Sequence, residues 1–137
     1  MKMELPRDVK RDGYLTIVVF GGRDFNDENL LFEALDTALM QCELRELRLL
    51  IVQGGATGAD ALAREWADHQ IDGDRAVDLA TERNHLMIDK YQPDYFIAVS
   101  GATGTADMSR RCHAAGIPGV VYRGIDFTTW PQVGING

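Results

Sequence analysis

Basic residues are the scarcer charged class in this chain. Lysine and arginine together number 14 against 21 aspartates and glutamates, a formal net charge of −7 over 137 residues. A general nucleic-acid binder normally carries a basic excess that neutralises phosphates, so this balance argues against that class. It leaves room for a small anionic ligand held by local N–H groups and one or two arginines. Cysteine is nearly absent. Cys42 and Cys112 stand alone, without metal-ligand spacing or a framework of pairs, a usage that fits a reducing cytoplasm. His69, His85 and His113 have no partners at ligand spacing, so no metal site is expected. No stretch approaches the roughly 18 apolar residues of a membrane span. Residues 1–12 are charged and hold no apolar core of a signal peptide. Two signatures of phosphate chemistry are also missing. Neither Gly-x-Gly-x-x-Gly nor a glycine-rich loop ending in Gly-Lys-Ser/Thr occurs, which excludes an ordinary NAD fold and a P-loop NTPase. No cofactor is implied.

What is present is a chain of one-domain length, 45% hydrophobic, long enough to remove about two-thirds of its unfolded surface from water. It is organised around the stretch from Leu49 to Asp60. An apolar run, Leu49-Leu50-Ile51-Val52, meets Gln53 and then Gly54-Gly55-Ala56-Thr57-Gly58, after which an amphipathic pattern begins. This reads as buried strand, tight loop and helix start. Glycines let backbone approach a ligand, and the first N–H groups of a helix lack intrahelical partners, so such a loop suits an anion. The tetrapeptide recurs: Gly55-Ala56-Thr57-Gly58 is repeated as Gly101-Ala102-Thr103-Gly104, again after an apolar run, Tyr95 to Val99, and before a helical pattern. A third loop, Gly21-Gly22-Arg23-Asp24-Phe25, follows the run Tyr14 to Phe20.

Read in order, residues 1–13 form a polar arm, residues 14–122 a single domain and residues 123–137 a tail without periodicity. The unbroken apolar character of Leu15 to Phe20 predicts a strand buried on both faces, as in a parallel sheet. Asn26 or Asp27 caps a helix whose stripe is Leu30, Leu31, Ala34, Leu35, Ala38 and Leu39. The helix after the central loop presents Ala59, Leu62, Ala63, Trp66 and Ala67 on one face. No strand is expected between Trp66 and Ala76, and a third helix is expected from about Ala76 to Tyr91. A further helix from Thr105 to Ala115 ends at Gly116, ahead of a short strand, Gly119 to Tyr122. Alternation of this kind gives an α/β fold, a Rossmann-like three-layer domain with a mostly parallel sheet of about four strands. In such sheets ligands bind at the carboxyl ends of the strands, the edge on which all three loops fall.

The candidate ligand residues each carry two readings. Arg23 is either a fork for a phosphate or a surface partner of Asp24 or Asp27. Asp60 is either a carboxylate favoured by the positive helix end or an acceptor for a ribose hydroxyl or a base amine. Arg83, with Asn84 beside it, lies on an otherwise apolar helix face, where it either snorkels or reaches for an anion. Asp107 faces the second loop or solvent.

With these residues quoted, the chain resembles the SLOG superfamily, the Rossmann-like fold shared by the DNA-processing protein DprA and the cytokinin-activating LOG enzymes, and is most like its small YspA/YpsA-related branch. The resemblance rests on Gly21 to Phe25, Gly54 to Asp60, Arg83-Asn84 with Met87, and Gly101 to Asp107, in the family's order. It implies a nucleotide or nucleotide-derived ligand across the strand ends. Gly101, Ala102, Thr103, Gly104 and Thr105 would cradle a phosphate. Gly21, Gly22, Arg23, Phe25, Gly54, Gly55, Ala56, Thr57, Gly58 and Asp60 would help hold sugar or base, and Arg83 and Asn84 would face the ligand. It also implies a homodimer or larger homo-oligomer. LOG-type hydrolases carry a proline and a glutamate where this chain has Ser100 and Met108. Asp107 is one residue early, a rotation of about 100° on a helix. The resemblance further implies a strand between the second and third helices, for which the short connection here leaves no room. Two functions follow. The first is a protein that binds a nucleotide or ADP-ribose-like molecule as a sensor or sequestering protein. The alternative is a hydrolase of the N-glycosidic bond of a nucleoside monophosphate, with Asp60, Glu82 or Asp107 supplying the carboxylate.

Overall fold

A computed structural model describes residues 3–99, 103–123 and 126–131; for residues 103 and 104 it describes the backbone alone. Among the described residues the chain alternates strand and helix: β1 (Tyr14–Phe20), α1 (Glu28–Leu44), β2 (Arg48–Gln53), α2 (Ala59–Asp72), β3 (Val77–Thr81), α3 (Asn84–Tyr91), β4 (Tyr95–Val99), α4 (Thr103–Ala114), β5 (Gly119–Arg123) and β6 (Asp126–Trp130). The strands make one sheet in the order β3-β2-β1-β4-β5-β6. The first five pair in parallel, and β6 returns antiparallel along β5.

The layers follow from the period of a strand. Successive side chains of β1 point to opposite faces. Leu15, Ile17 and Val19 join Leu31, Leu35, Leu39, Ala63 and Trp66 in one core under α1 and α2. Val18 and Phe20 join Met87, Met108, Cys112 and Ile117 in a second core under α3 and α4. Both faces of the sheet are covered, which is why its central strands read as continuous apolar runs. This is the Rossmann-like three-layer arrangement, and the order of the strands reverses between β1 and β4.

The sheet has six strands where about four were expected. The stretch expected to be one helix from Ala76 to Tyr91 is instead β3, a short turn and α3. Helical spacing of Leu79, Arg83 and Met87 suggested the helix. The strand forms because β2 offers a full parallel ladder, Leu49 against Val77 through Gln53 against Thr81. Two side-chain contacts reinforce it. Arg48 Nε donates to Asp78 Oδ2 at 2.8 Å, and the buried Gln53 amide donates to Thr81 Oγ1 at 2.6 Å. Residues 126–130, aperiodic in sequence, form the sixth strand by pairing Gly119 with Trp130 through Arg123 with Asp126. α4 begins at Thr103, two residues before the expected Thr105.

The arm before β1 is strapped to the domain. Met3 and Leu5 are buried. Gln41 Nε2 donates to the Met3 carbonyl at 2.9 Å, and the Arg45 guanidinium donates to the carbonyls of Pro6 and Leu5. The buried Asp94 closes the strap, accepting from the Lys10 and Thr16 backbone N–H groups, each at 2.8 Å. Among the described residues no helix is long and apolar enough to cross a membrane.

Candidate functional site

Loops leaving β1, β2 and β3 and the first turn of α4 enclose a cleft of about 720 Å³ at the carboxyl ends of the strands. Phe20, Gly21, Gly22, Arg23 and Asp24 come from the end of β1 and its loop. Gly54, Ala56 and Asp60 come from the β2–α2 connection, Arg83 and Asn84 from the start of α3, and Thr105 from α4. Open α/β sheets place ligands in this crevice, outside the strand ends where the strand order reverses.

The β2–α2 loop is built around Asp60. This residue is 6% exposed. Its Oδ2 accepts the backbone N–H of Gly54 at 3.1 Å and of Ala56 at 3.2 Å. The intervening Gly55 N–H donates to Gln53 Oε1 at 2.6 Å. Three successive amides of the loop are therefore occupied from within. Oδ1 of Asp60 accepts no hydrogen bond among the described residues. Burial raises the Asp60 carboxyl above its ordinary value, against the opposing effects of the two amides and of the Arg23 charge.

Two glycines of this loop answer to packing between loops. Gly58 has φ +72°, and a Cβ there would collide with the Gly22 carbonyl oxygen and the Arg23 backbone. The loops after β1 and β2 touch at this point, where the Ala59 N–H donates to the Gly22 carbonyl at 3.1 Å and Thr57 Oγ1 donates to the Arg23 carbonyl at 3.0 Å. At Gly54 a Cβ would sit 2.8 Å from Asp60 Oδ2 and 2.9 Å from Asn84 Oδ1. The lack of a side chain there lets the carboxylate and the amide of Asn84 converge beside the loop.

Arg23 and Arg83 are both exposed. Among the described residues neither guanidinium makes a hydrogen bond or an ion pair. Arg83 is the N-cap of α3, with extended backbone (φ −63°, ψ 142°), rather than an interior helix residue. That position brings it to the cleft mouth.

Of the residues singled out in the sequence, Gly21, Gly22, Arg23, Gly54, Ala56, Asp60, Arg83, Asn84 and Thr105 line the cleft. Phe25 is half-buried against the α1/α2 core. Gly55, Thr57 and Gly58 shape the loop from behind. Gly101 and Ala102 lie outside the described residues, and Thr103 and Gly104 contribute the backbone of the first turn of α4. The three candidate carboxylates separate. Asp60 alone lines the cleft. Glu82 is tied to Lys90 at 2.7 Å and accepts from the Arg83 N–H at 3.2 Å. Asp107 is tied to Arg111 at 2.8 Å along its own helix. The Lys90 and Arg111 hydrogen bonds, respectively, hold both carboxyls below their ordinary values. Phe20 and Asp24 line the cleft without having been singled out as ligand residues. Phe20 reads as the last core residue of its strand, and Asp24 reads only as a neighbour for Arg23.

Residues 15–95 match the model of the YAcAr family, described as the YspA, cpYpsA-related SLOG family. The chain belongs to this family. The match runs from β1 to the start of β4 and so spans the SLOG motifs Gly21 to Phe25, Gly54 to Asp60 and Arg83-Asn84. No curated protein and no solved structure matches the chain. The two thiols of this SLOG chain stand apart from the cleft. Burial pushes Cys42 up to about 11 and Cys112 up to about 12, which leaves both as inert core residues.

Proposed function

We propose that this SLOG protein binds a nucleotide-type or ADP-ribose-like small molecule in the cleft, as a sensor or sequestering protein, without turning it over. The observation that carries this reading is the pairing of functions within one cleft. Arg23 and Arg83 present unpaired guanidiniums to an anion, and Asp60 presents a free carboxylate oxygen to a hydroxyl or amine. A phosphorylated nucleoside carries both kinds of group. Family membership supports a nucleotide-related role for the fold. Two of the three carboxylates suited to hydrolysis are committed to ion pairs away from the cleft. Isothermal titration with AMP and ADP-ribose tests the reading. The wild type is expected to bind one of them stoichiometrically. Arg23→Ala and Arg83→Ala are each expected to weaken it about 10- to 100-fold, the worth of a charge-assisted hydrogen bond. Failure of both nucleotides to bind overturns it.

One observation favours the hydrolase alternative: a buried carboxyl with a raised pKa in a cleft is the environment of a general acid. Release of adenine from AMP, abolished by Asp60→Asn, would establish that reading in place of simple binding.

A further inference from the structure

We infer that Asp60 is the permanent occupant of the first half of the β2–α2 glycine loop: it withholds the Gly54 and Ala56 amides from phosphate and makes this part of the cleft a reader of hydrogen-bond donors. The inference rests on the nucleotide reading of the same cleft and specifies which chemical group lies where. A glycine loop at a helix start ordinarily offers its N–H groups to an anion. Here the Gly54 and Ala56 amides already converge on one carboxylate oxygen of the chain itself, at 3.1 and 3.2 Å. The amide between them is taken by Gln53 at 2.6 Å. The carboxylate is not a loose side chain that a ligand can push aside. It is 6% exposed and seated where Gly54 has no Cβ, 2.8 Å from the point a Cβ would occupy. At Gly54 to Ala56 an incoming phosphate would meet a buried negative charge and occupied donors, so the anionic group of the ligand goes to the arginines. What Asp60 still offers is Oδ1, an acceptor. The group it selects is a sugar hydroxyl or an amine, and it disfavours a second anionic group at this position.

The test reads the Gly54 and Ala56 backbone amides by NMR during titration with inorganic phosphate, alongside calorimetry with AMP. In the wild type, phosphate is expected to leave both amide resonances in place. In Asp60→Ala, which frees the two N–H groups, phosphate is expected to shift them. Asp60→Asn keeps a carbonyl oxygen for the two amides and turns the atom at the Oδ1 position from acceptor to donor. It is expected to retain the fold and the wild-type response to phosphate while losing about tenfold or more in AMP affinity. Movement of the two amides by phosphate in the wild type overturns the inference. So does a folded Asp60→Ala protein whose amides ignore phosphate, or an Asp60→Asn protein that binds AMP within twofold of wild type. Absence of binding of both AMP and ADP-ribose to the wild type would instead remove the nucleotide reading, and where ADP-ribose alone binds, it replaces AMP as the probe of Asp60→Asn. The two phosphate titrations would then decide the loop assignment alone, and the wild-type titration decides it if Asp60→Ala does not fold.

Discussion

The buried carboxyl of Asp60 costs stability when it ionises. Burial raises its pKa in the folded protein, so its ionised form is the one that folding disfavours. The stability associated with this group is complete below the unfolded carboxyl range, near pH 4, and declines as pH rises through the folded value. Asp60→Asn is therefore expected to melt at or above the wild-type temperature at pH 7, with the difference closing toward pH 4; thermal melts across that range check the sign. Gly58 is the second decisive residue. Its φ of +72° and the backbone of Gly22 and Arg23 against its Cα leave no place for a side chain. Gly58→Ala is expected to cost at least about 1–3 kcal/mol in urea unfolding, the range for a residue held in a disfavoured backbone region. The glycines at 54 and 58 were legible in sequence as a tight loop. Their immediate partners were not, because the contacts to Asn84 and Gly22 join segments far apart in the chain.

At the level of elements, local pattern and tertiary pairing disagree most clearly at β3. Val77 to Thr81 has a charged residue at its second position, Asp78, and only one fully buried position, Val77, so no strand period stands out. The ladder with β2 and the Arg48–Asp78 and Gln53–Thr81 contacts decide its form. α1 is the opposite case. Its stripe of Leu31, Ala34, Leu35, Ala38 and Leu39 is fully buried as the spacing predicts, with Leu30 at its half-buried margin, and of the two possible caps it is Asp27 that accepts from the Leu30 N–H at 3.2 Å. The same contrast divides the catalytic candidates. The sequence pattern puts Glu82 inside a helix and Asp107 at the second loop or solvent; the structure pairs Glu82, in the turn after β3, with Lys90 of α3, and Asp107 with Arg111 one helical turn on. Glu82→Gln and Asp107→Asn are accordingly expected to leave ligand affinity within about twofold of wild type in calorimetry. The end of the N-terminal arm next to β1 is fastened by Asp94, in the connection between α3 and β4. Asp94→Ala leaves the buried Thr16 N–H without its acceptor, at a cost of about 1–3 kcal/mol. It also frees the Lys10 N–H. Denaturant unfolding, together with faster proteolysis within residues 3–12, checks both consequences.

For the whole molecule, the parallel run of β1 to β5 gathers residues from three strand-following loops and the first turn of α4 onto one edge of the sheet. A net charge of −7 coexists with two arginines at the cleft, so attraction for an anion is local to that edge. The edge itself was legible, since alternating strands and helices force every strand-following loop to the same side. The division of labour within it was not, because nothing in the spacing shows that Asp60 turns back onto the amides of Gly54 and Ala56. The proposed function stands or falls on whether this cleft retains a nucleotide-type ligand intact. The most direct measurement incubates the protein with AMP, other nucleoside monophosphates, NAD, ADP-ribose and cyclic ADP-ribose isomers. Free ligand is removed, the protein is denatured, and the released material is identified by chromatography. One ligand is expected, recovered unchanged and in stoichiometric amount from the wild type and lost from Arg23→Ala. Recovery of free base and ribose phosphate, or of no ligand at all, would contradict the proposed function.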